Sequence, residues 1–252
     1  MGNAKERVLV AMSRSGELRI ANCELRRRRE AADNHGMDIA VNLVETYLRL
    51  NGYLTISEFE VQERRPDGEF RSVTDIDVMA LRFPGDIYAG DPHEAPDTRI
   101  LLLSDEELRL EPDQIDVIIG EVKQAEAEFN PGIRNHKVLH QMLHRIDWLF
   151  TGDLAAIVDD LASRNLCVTA ARGGGEIRVR LVAFGRAPQC DLNTMTHAHM
   201  VAKLLEFFSG TDMAFRPVQF RDPAPAMLNL LLKSGFDLSR DMPSRGSGDA
   251  DG

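Results

Sequence analysis

The sequence has few cysteines, few aromatic residues and no long apolar run. Its 252 residues include three cysteines and one tryptophan, and aromatic residues make up 6%. Cys23, Cys167 and Cys190 are odd in number and widely spaced, with no C-x-x-C pair, which argues against a zinc site or a redox dithiol. No run of 18 apolar residues occurs, and the apolar stretch 8–12 is too short for a signal-peptide core. We therefore expect a reduced, cytoplasmic protein with no membrane partner.

Two common catalytic motifs are also missing. The glycine run 173–175 is not followed by Lys and Ser or Thr, so it does not form a P-loop and instead predicts a hairpin turn. No G-x-S-x-G segment occurs, which leaves a hydrolase with a serine or cysteine nucleophile little support.

The negative charge of the chain is concentrated in one segment. The formal net charge is −10, and residues 86–116 alone hold ten acidic and two basic side chains, a net charge of −8. An acidic total argues against a protein whose whole surface binds nucleic acid. Because the remainder is nearly neutral, it can still hold a local basic groove, although tight nonspecific DNA binding is not expected.

The length and the 43% hydrophobic content suffice for one sizeable core or two small ones. We expect an N-terminal extension over 1–34 and a core over 35–190 that carries an acidic surface insertion at 84–113. A helical segment is expected over 191–238, followed by a polar, disordered tail over 239–252.

Hydrophobic periodicity predicts an α/β fold in which a first helix is followed by a hairpin of two strands. The predicted helices cover residues 37–50, 134–150, 153–162, 196–208 and 225–233. The predicted strands cover residues 53–63, 72–83, 114–124, 166–171 and 177–184.

The apolar faces of the second and third strands each become ionic at one end. Asp75 and Asp77 share a face at the start of the second strand, and Glu121 and Lys123 share one at the end of the third. Antiparallel pairing of these strands would bring the four side chains together. Crowded carboxylates raise one another's pKa unless a cation neutralises them, and oxygen ligands at this charge density suit Mg²⁺ or Mn²⁺.

With these residues in this order, the chain resembles the PD-(D/E)xK, or restriction-endonuclease-like, nuclease superfamily. Its signature is matched by Glu45 on a helix, Asp77 at the start of the second strand and Glu121-Val122-Lys123 at the end of the third, followed by a helix. The resemblance covers residues 37–185 and implies a central mixed β-sheet flanked by helices. Two features depart from the pattern: no proline precedes Asp77, and the insertion between the second and third strands is long and acidic.

The resemblance implies a Mg²⁺- or Mn²⁺-dependent endonuclease or exonuclease that hydrolyses phosphodiester bonds, with DNA as the expected substrate. Asp77 and Glu121 would ligate the metal, and Glu45 would contact it directly or through water. Lys123 would orient the attacking water or help to deprotonate it. This agrees with the need for a hydroxide near neutral pH and a cation that offsets charge on the phosphate. Residues expected to support the ligands or contact the substrate are Asp75, Gln124, Arg134 and Lys137.

Simpler interpretations of the same residues stay open. Asp77, Glu121 and Lys123 could form a structural ion-pair cluster at a sheet end, and Glu45 could be an ordinary solvated helix residue. Gln124 could be a polar strand end. The whole fold could also be a catalytically inactive nuclease-like module that binds protein or nucleic acid, with the acidic insertion as a protein-binding surface. A homodimer is a further alternative.

Two basic patterns have both a surface and a binding interpretation. His136, His140 and His144 recur every four residues and with Arg134, Lys137 and Arg145 could face a phosphate backbone, although a solvated or partly packed helix face is favoured. A zinc site on this stripe is less favoured, because further ligands must come from elsewhere. Arg178 and Arg180 alternate on a late strand, a pattern typical of a solvent-facing side and sometimes of a groove.

Overall fold

The computed structural model describes residues 38–86, 103, 105–210 and 222–236. The chain divides into two compact units, Met1–Asp38 and Ile39–Gly252, and every helix and strand described below lies in the second. The predicted extension 1–34, most of the predicted insertion and the tail 239–252 lie outside the described residues.

Six strands form one mixed sheet within the described residues. They are β1 (Leu54–Arg64), β2 (Phe70–Arg82), β3 (Gln114–Glu126), β4 (Leu166–Ala170), β5 (Glu176–Arg186) and β6 (Thr194–Thr196). The order across the sheet is β1-β2-β3-β5-β4, with β6 beside the end of β5. The β3–β5 and β5–β6 pairs are parallel, and the other pairs are antiparallel.

Five α-helices accompany the sheet. They are α1 (Ile39–Leu50), α2 (His136–His144), α3 (Leu154–Arg164), α4 (His197–Gly210) and α5 (Pro223–Lys233). Asn135 caps α2 and Asp153 caps α3, because each side chain accepts a hydrogen bond from a backbone N–H of the first turn. No helix of the described part of the chain has the length and apolarity that a membrane crossing requires.

The two faces of the sheet bury separate hydrophobic clusters. Val117 and Ile119 of β3 pack with α2 and α3, whereas Ile118 and Val122 pack with α1. The alternation follows from the two-residue period of a strand, and because both faces are covered, β3 is apolar on both. The α/β class with a mixed sheet flanked by helices is therefore confirmed, while its relation to the restriction-endonuclease core stays a prediction.

The C-terminal helices complete the unit on the α1 side. Leu204, Phe207 and Phe208 of α4 form a third buried cluster with Leu50 of α1. The N–H of Ala224 at the start of α5 donates to the buried Asn42 side chain of α1 at 2.9 Å.

Two predictions of local structure are wrong. The predicted helix over 134–150 is interrupted, because α2 ends at His144 and a separate 3-10 turn covers Asp147–Leu149. The insertion 84–113 was predicted to lie on the surface, yet its final part enters the core, where Asp105 and Leu108 are buried.

The alternation of Arg178 and Arg180 predicts a side chain facing solvent or a groove, and this prediction is wrong. Both are buried on β5 and both pair with the buried Asp116 of β3, at 2.5 Å and 3.0 Å respectively. Arg178 also donates to the carbonyl oxygens of Leu108 and Arg109, which fixes the end of the insertion against the sheet. Buried charges are stable only when paired and hydrogen-bonded, and this network meets that condition.

Candidate active site

The candidate site lies where β2 separates from β3. The antiparallel ladder between these strands runs from Arg82 opposite Asp116 to Val78 opposite Gly120 and ends there. Before Val78, β2 pairs with β1 alone. The backbone N–H of Val122, which follows the last ladder pair, donates instead to Oδ2 of Asp77 at 2.6 Å.

The two strands of the hairpin also exchange faces at this point. In β2, Val78 packs in the α1 cluster, whereas Ile76 packs in the α2 cluster, although residues two apart belong on one face. In β1, Thr55 bonds to Arg49 of α1, whereas Val61 packs in the α2 cluster. The change occurs at Glu58, which lies opposite Asp77 and has φ 50°, in the left-handed region.

Glu121 is a buried carboxylate with an incomplete set of partners. Its side chain is 4% exposed, Oε1 pairs with the ammonium of Lys123, and Oε2 has no hydrogen-bond partner in the described structure. Burial raises the pKa of Glu121, and the charges of Asp77 and Asp75 add to this effect against the opposing ion pair with Lys123. An unpaired buried carboxylate oxygen next to a second carboxylate is an electrostatic environment that favours a bound cation.

Lys123 lies at the open side of this cluster. Its side chain is 41% exposed. Burial alone would lower its pKa, but the carboxylates of Glu121 and Asp77 outweigh burial and raise the pKa. The amine is therefore protonated at neutral pH, which suits it to donate hydrogen bonds and to offset negative charge rather than to accept a proton.

The residues present fit a divalent cation with few protein ligands. Among the described residues, no set of three or more His, Cys, Asp or Glu side chains is arranged to hold a metal ion. Mg²⁺ is commonly held by one or two carboxylates, with waters and substrate phosphates completing its octahedron. Asp77 and Glu121 provide such a pair, and Oε2 of Glu121 is the available ligand atom.

Glu45 does not complete a three-carboxylate set with Asp77 and Glu121. It is buried in α1, where Oε1 accepts hydrogen bonds from Arg49 at 2.7 Å and from Thr55 at 3.2 Å. Arg49 in turn pairs with Asp222 at 3.1 Å. These contacts give Glu45 a role in joining α1 to β1 and to the start of α5.

The four supporting residues occupy different surroundings. Asp75 is exposed, and its charge acts on Glu121. Gln124 is exposed at the end of β3. Arg134 donates to Asn165 at 2.9 Å and stacks over Phe129 at 5.0 Å, and Lys137 pairs with Glu63 at 2.7 Å. Asp75 thus adds negative charge to the carboxylate cluster.

The histidine stripe of α2 lies on an exposed surface. His136 lies 3.2 Å from Asp159, His144 lies 2.9 Å from Asp147, and the rings of His140 and His144 stack at 6.1 Å. His136 and His140 line a groove of about 440 Å³ between α2, α3 and the end of β1. Acidic neighbours therefore already engage two of these side chains.

Two features were not found from the sequence. Glu58 lies in an ordinary alternating stretch, so no local pattern indicates its left-handed conformation. Asp105 is buried and accepts hydrogen bonds from Tyr47 at 2.5 Å and from His199 at 2.6 Å. Burial would raise the pKa of Asp105, but these two bonds outweigh it and lower the pKa. Its partners lie 58 and 94 residues away, beyond the range of any sequence periodicity.

The described structure is that of an α/β protein with two carboxylates and a lysine at the fork of a mixed sheet. Comparison with known proteins gives no match to a family model, to a curated protein or to a solved structure. The function is therefore inferred from the geometry of Asp77, Glu121 and Lys123.

Proposed function

We propose that the protein is a metal-dependent nuclease of the PD-(D/E)xK kind that hydrolyses phosphodiester bonds, with DNA as its substrate. The observation that carries the proposal is the meeting of Asp77 and Glu121 beside Lys123, with one buried oxygen of Glu121 unpartnered. A structural ion-pair cluster would gain stability from satisfying that oxygen, as the Asp116 network does for its own carboxylate.

The order of the elements supports the same class. Along the chain the elements follow in this order: a helix, a hairpin, the strand that bears Glu121-Val122-Lys123, a helix and then a parallel strand. These elements correspond to α1, β1, β2, β3, α2 and β5, with α3 and β4 between the last two. The superfamily resemblance implies this order as far as the helix after the third strand, and the carboxylates and the lysine lie just beyond the end of the β2–β3 ladder.

Each residue has a distinct part in the proposed chemistry. Asp77 and Glu121 hold Mg²⁺ or Mn²⁺, and the bound ion supplies Lewis acidity and a water of lowered pKa. Lys123, protonated at neutral pH, donates hydrogen bonds that orient the water or the phosphate and offsets developing negative charge. Asp75 adds negative charge beside Glu121, which strengthens the attraction for a cation.

The proposal is tested by incubating the purified protein with plasmid, linear and single-stranded DNA in Mg²⁺ or Mn²⁺. Cleavage is expected with either ion and not in chelator. The plasmid and linear substrates distinguish endonuclease from exonuclease products. Asp77→Asn, Glu121→Gln and Lys123→Met should each lower the rate at least about a hundredfold. Glu126→Gln, at the exposed end of the same strand, is the matched control and should cleave normally.

Mn²⁺ titration calorimetry separates catalysis from simple binding. The wild-type protein should take up the ion, and Asp77→Asn and Glu121→Gln should not. A protein that binds no Mn²⁺ and cuts none of these substrates would overturn the proposal and favour the inactive nuclease-like binding module instead.

A further inference from the structure

The conformation of Glu58 is unusual for its position. It is an exposed glutamate inside β1, yet its φ of 50° lies in the left-handed region, which residues other than glycine rarely adopt. Such a conformation persists only where the surrounding structure fixes it, and it occurs preferentially at functional sites. Glu58 lies opposite Asp77, since Ser57 pairs with Val78 and Phe59 pairs with Ile76.

A regular hairpin would direct Asp77 differently. Side chains of an extended strand stand roughly perpendicular to the sheet, whereas backbone N–H groups lie within its plane. With unbroken alternation, Asp77 would project with Met79 from the face covered by α2. Its carboxylate instead accepts the in-plane N–H of Val122 at 2.6 Å, and its neighbour Ile76 takes the α2 face.

We propose that the left-handed conformation at Glu58 is the device that turns the carboxylate of Asp77 into the plane of the sheet, against the Val122 amide and beside Glu121. Glu58 is thus a positioning residue that acts through the backbone of the hairpin and not through its own carboxylate. β-Bulges near active sites likewise redirect side chains through a local change in the backbone of one strand. The inference rests on the proposed function only in taking Asp77 as a metal ligand.

The experiment compares three substitutions that separate backbone conformation from charge. Glu58→Gly removes the carboxylate but adopts the left-handed conformation freely. Glu58→Val removes the same carboxylate and disfavours that conformation, because a β-branched residue is an outlier there. Glu60→Val is the matched control, since Glu60 is also exposed on β1, two residues away, and is not left-handed.

The primary measurement is the chemical shift of the Val122 amide N–H in a ¹⁵N correlation spectrum. A hydrogen bond to a carboxylate moves this signal downfield, and Asp77→Ala, which removes the acceptor, is the control. Glu58→Gly and Glu60→Val should keep the downfield signal. Glu58→Val should lose it, and its Mn²⁺ affinity should fall about 10-fold to 100-fold.

A downfield Val122 signal in Glu58→Val would overturn the inference, as would loss of the downfield signal in Glu58→Gly. If Glu58→Val does not fold, Glu58→Ala provides the same comparison, because alanine disfavours the left-handed conformation less strongly. The Val122 shift in Glu58→Ala should lie between the downfield value of the wild-type and Glu58→Gly proteins and the value in Asp77→Ala, which has no side-chain acceptor for this N–H. A wild-type protein that shows the Val122 effects but binds no Mn²⁺ and cleaves no DNA would refute the proposed function and leave the positioning by Glu58 intact.

Discussion

Asp116 and Glu121, five residues apart on β3, are two buried carboxylates with opposite electrostatic surroundings. Asp116 accepts bonds from Tyr53, Arg178 and Arg180, and although burial alone would raise its pKa, the two guanidinium groups outweigh burial and lower it. Glu121 has one cationic partner and one unpartnered oxygen, and its pKa is raised. A satisfied carboxylate stabilises the fold, whereas an incompletely satisfied one is available to a ligand.

Glu121→Gln should raise the melting temperature at neutral pH. A carboxyl group whose pKa is raised on folding contributes stability at low pH, and this contribution is lost as the pH rises through the folded pKa. In the unfolded chain the carboxyl group of Glu121 has a pKa of about 4.3. The melting temperature of the wild-type protein should therefore fall as the pH rises above this value, and that of the variant should fall less. Thermal denaturation from pH 4 to pH 8 in chelator measures both. An identical pH profile for the two proteins would contradict the electrostatic account of Glu121.

Asp116→Asn should destabilise the protein by about 3–5 kcal/mol, because it leaves two buried guanidinium groups without their counter-charge. The pKa of Asp116 is lowered on folding, so its contribution is present above the unfolded pKa of about 3.9 and is lost as the pH falls through the folded pKa. Urea denaturation between pH 7 and pH 2 should show a shallower acid loss in the variant than in wild type. Equal midpoints at pH 7 would show that the network adds nothing to stability.

At the scale of elements, close contacts between strands leave no space for some side chains. A Cβ atom on Gly120 of β3 would lie 2.5 Å from Val78 Cγ1 and 2.8 Å from Phe184 Cε2. A Cβ atom on Gly185 of β5 would lie 2.7 Å from the backbone N of Ala127. Side chains can move more easily than backbone, so the two glycines differ in how much a methyl group would cost.

Gly120→Ala should lower the free energy of unfolding by about 1–3 kcal/mol. Gly185→Ala should lower it more, because the side chains around Gly120 can shift whereas the backbone beside Gly185 cannot. Gly173→Ala is the control, since no atom lies within 4 Å of the added Cβ atom. It should change stability by less than about 0.5 kcal/mol. Denaturant midpoints rank the three variants, and a Gly185→Ala protein as stable as Gly173→Ala would contradict the tight β5 packing.

The sequence predicted elements whose signals are local. The hairpin and the later strands lie within a few residues of their predicted positions, because hydrophobic alternation and turn residues act over short distances. The adjacency of Asp77 and Glu121 could also be predicted, since antiparallel pairing follows from the order of the strands. Arg178 and Arg180 were misassigned because their partner, Asp116, lies 62 to 64 residues away. The left-handed conformation of Glu58 has no sequence signature, because a glutamate in an alternating stretch gives no indication of a positive φ.

At the scale of the whole molecule, the three hydrophobic clusters of the described residues share the elements that join them. α1 contributes Val44 to the cluster on its face of the sheet and Leu50 to the cluster beneath α4. The α2 cluster lies on the opposite face of the same strands. Because α1 and β3 bridge these regions, we expect one cooperative unfolding transition for the unit Ile39–Gly252.

Leu204→Ala tests this cooperativity. Leu204 is a fully buried residue of α4, so its truncation should cost about 2–5 kcal/mol. The single tryptophan, Trp148, lies after α2 outside that cluster and reports separately by fluorescence. The fluorescence midpoint and the far-ultraviolet circular dichroism midpoint should fall together. A fluorescence midpoint that stays at its wild-type value would show that the α4 region unfolds independently.

The parallel pairing of β3 with β5 leads us to expect a particular order of assembly for the chain. The β1–β2 hairpin closes a short turn, whereas Asp116 meets Arg178 only after a loop spanning 62 residues has closed. Long loops close with a larger entropic loss, so such contacts form late and slowly. Until then Asp116 stays hydrated, because entering the sheet interior without its guanidinium partners is strongly unfavourable. We therefore expect the central strand β3 to lose its water only after β5 has paired with it, so that the burial of Asp116 is a late step of folding.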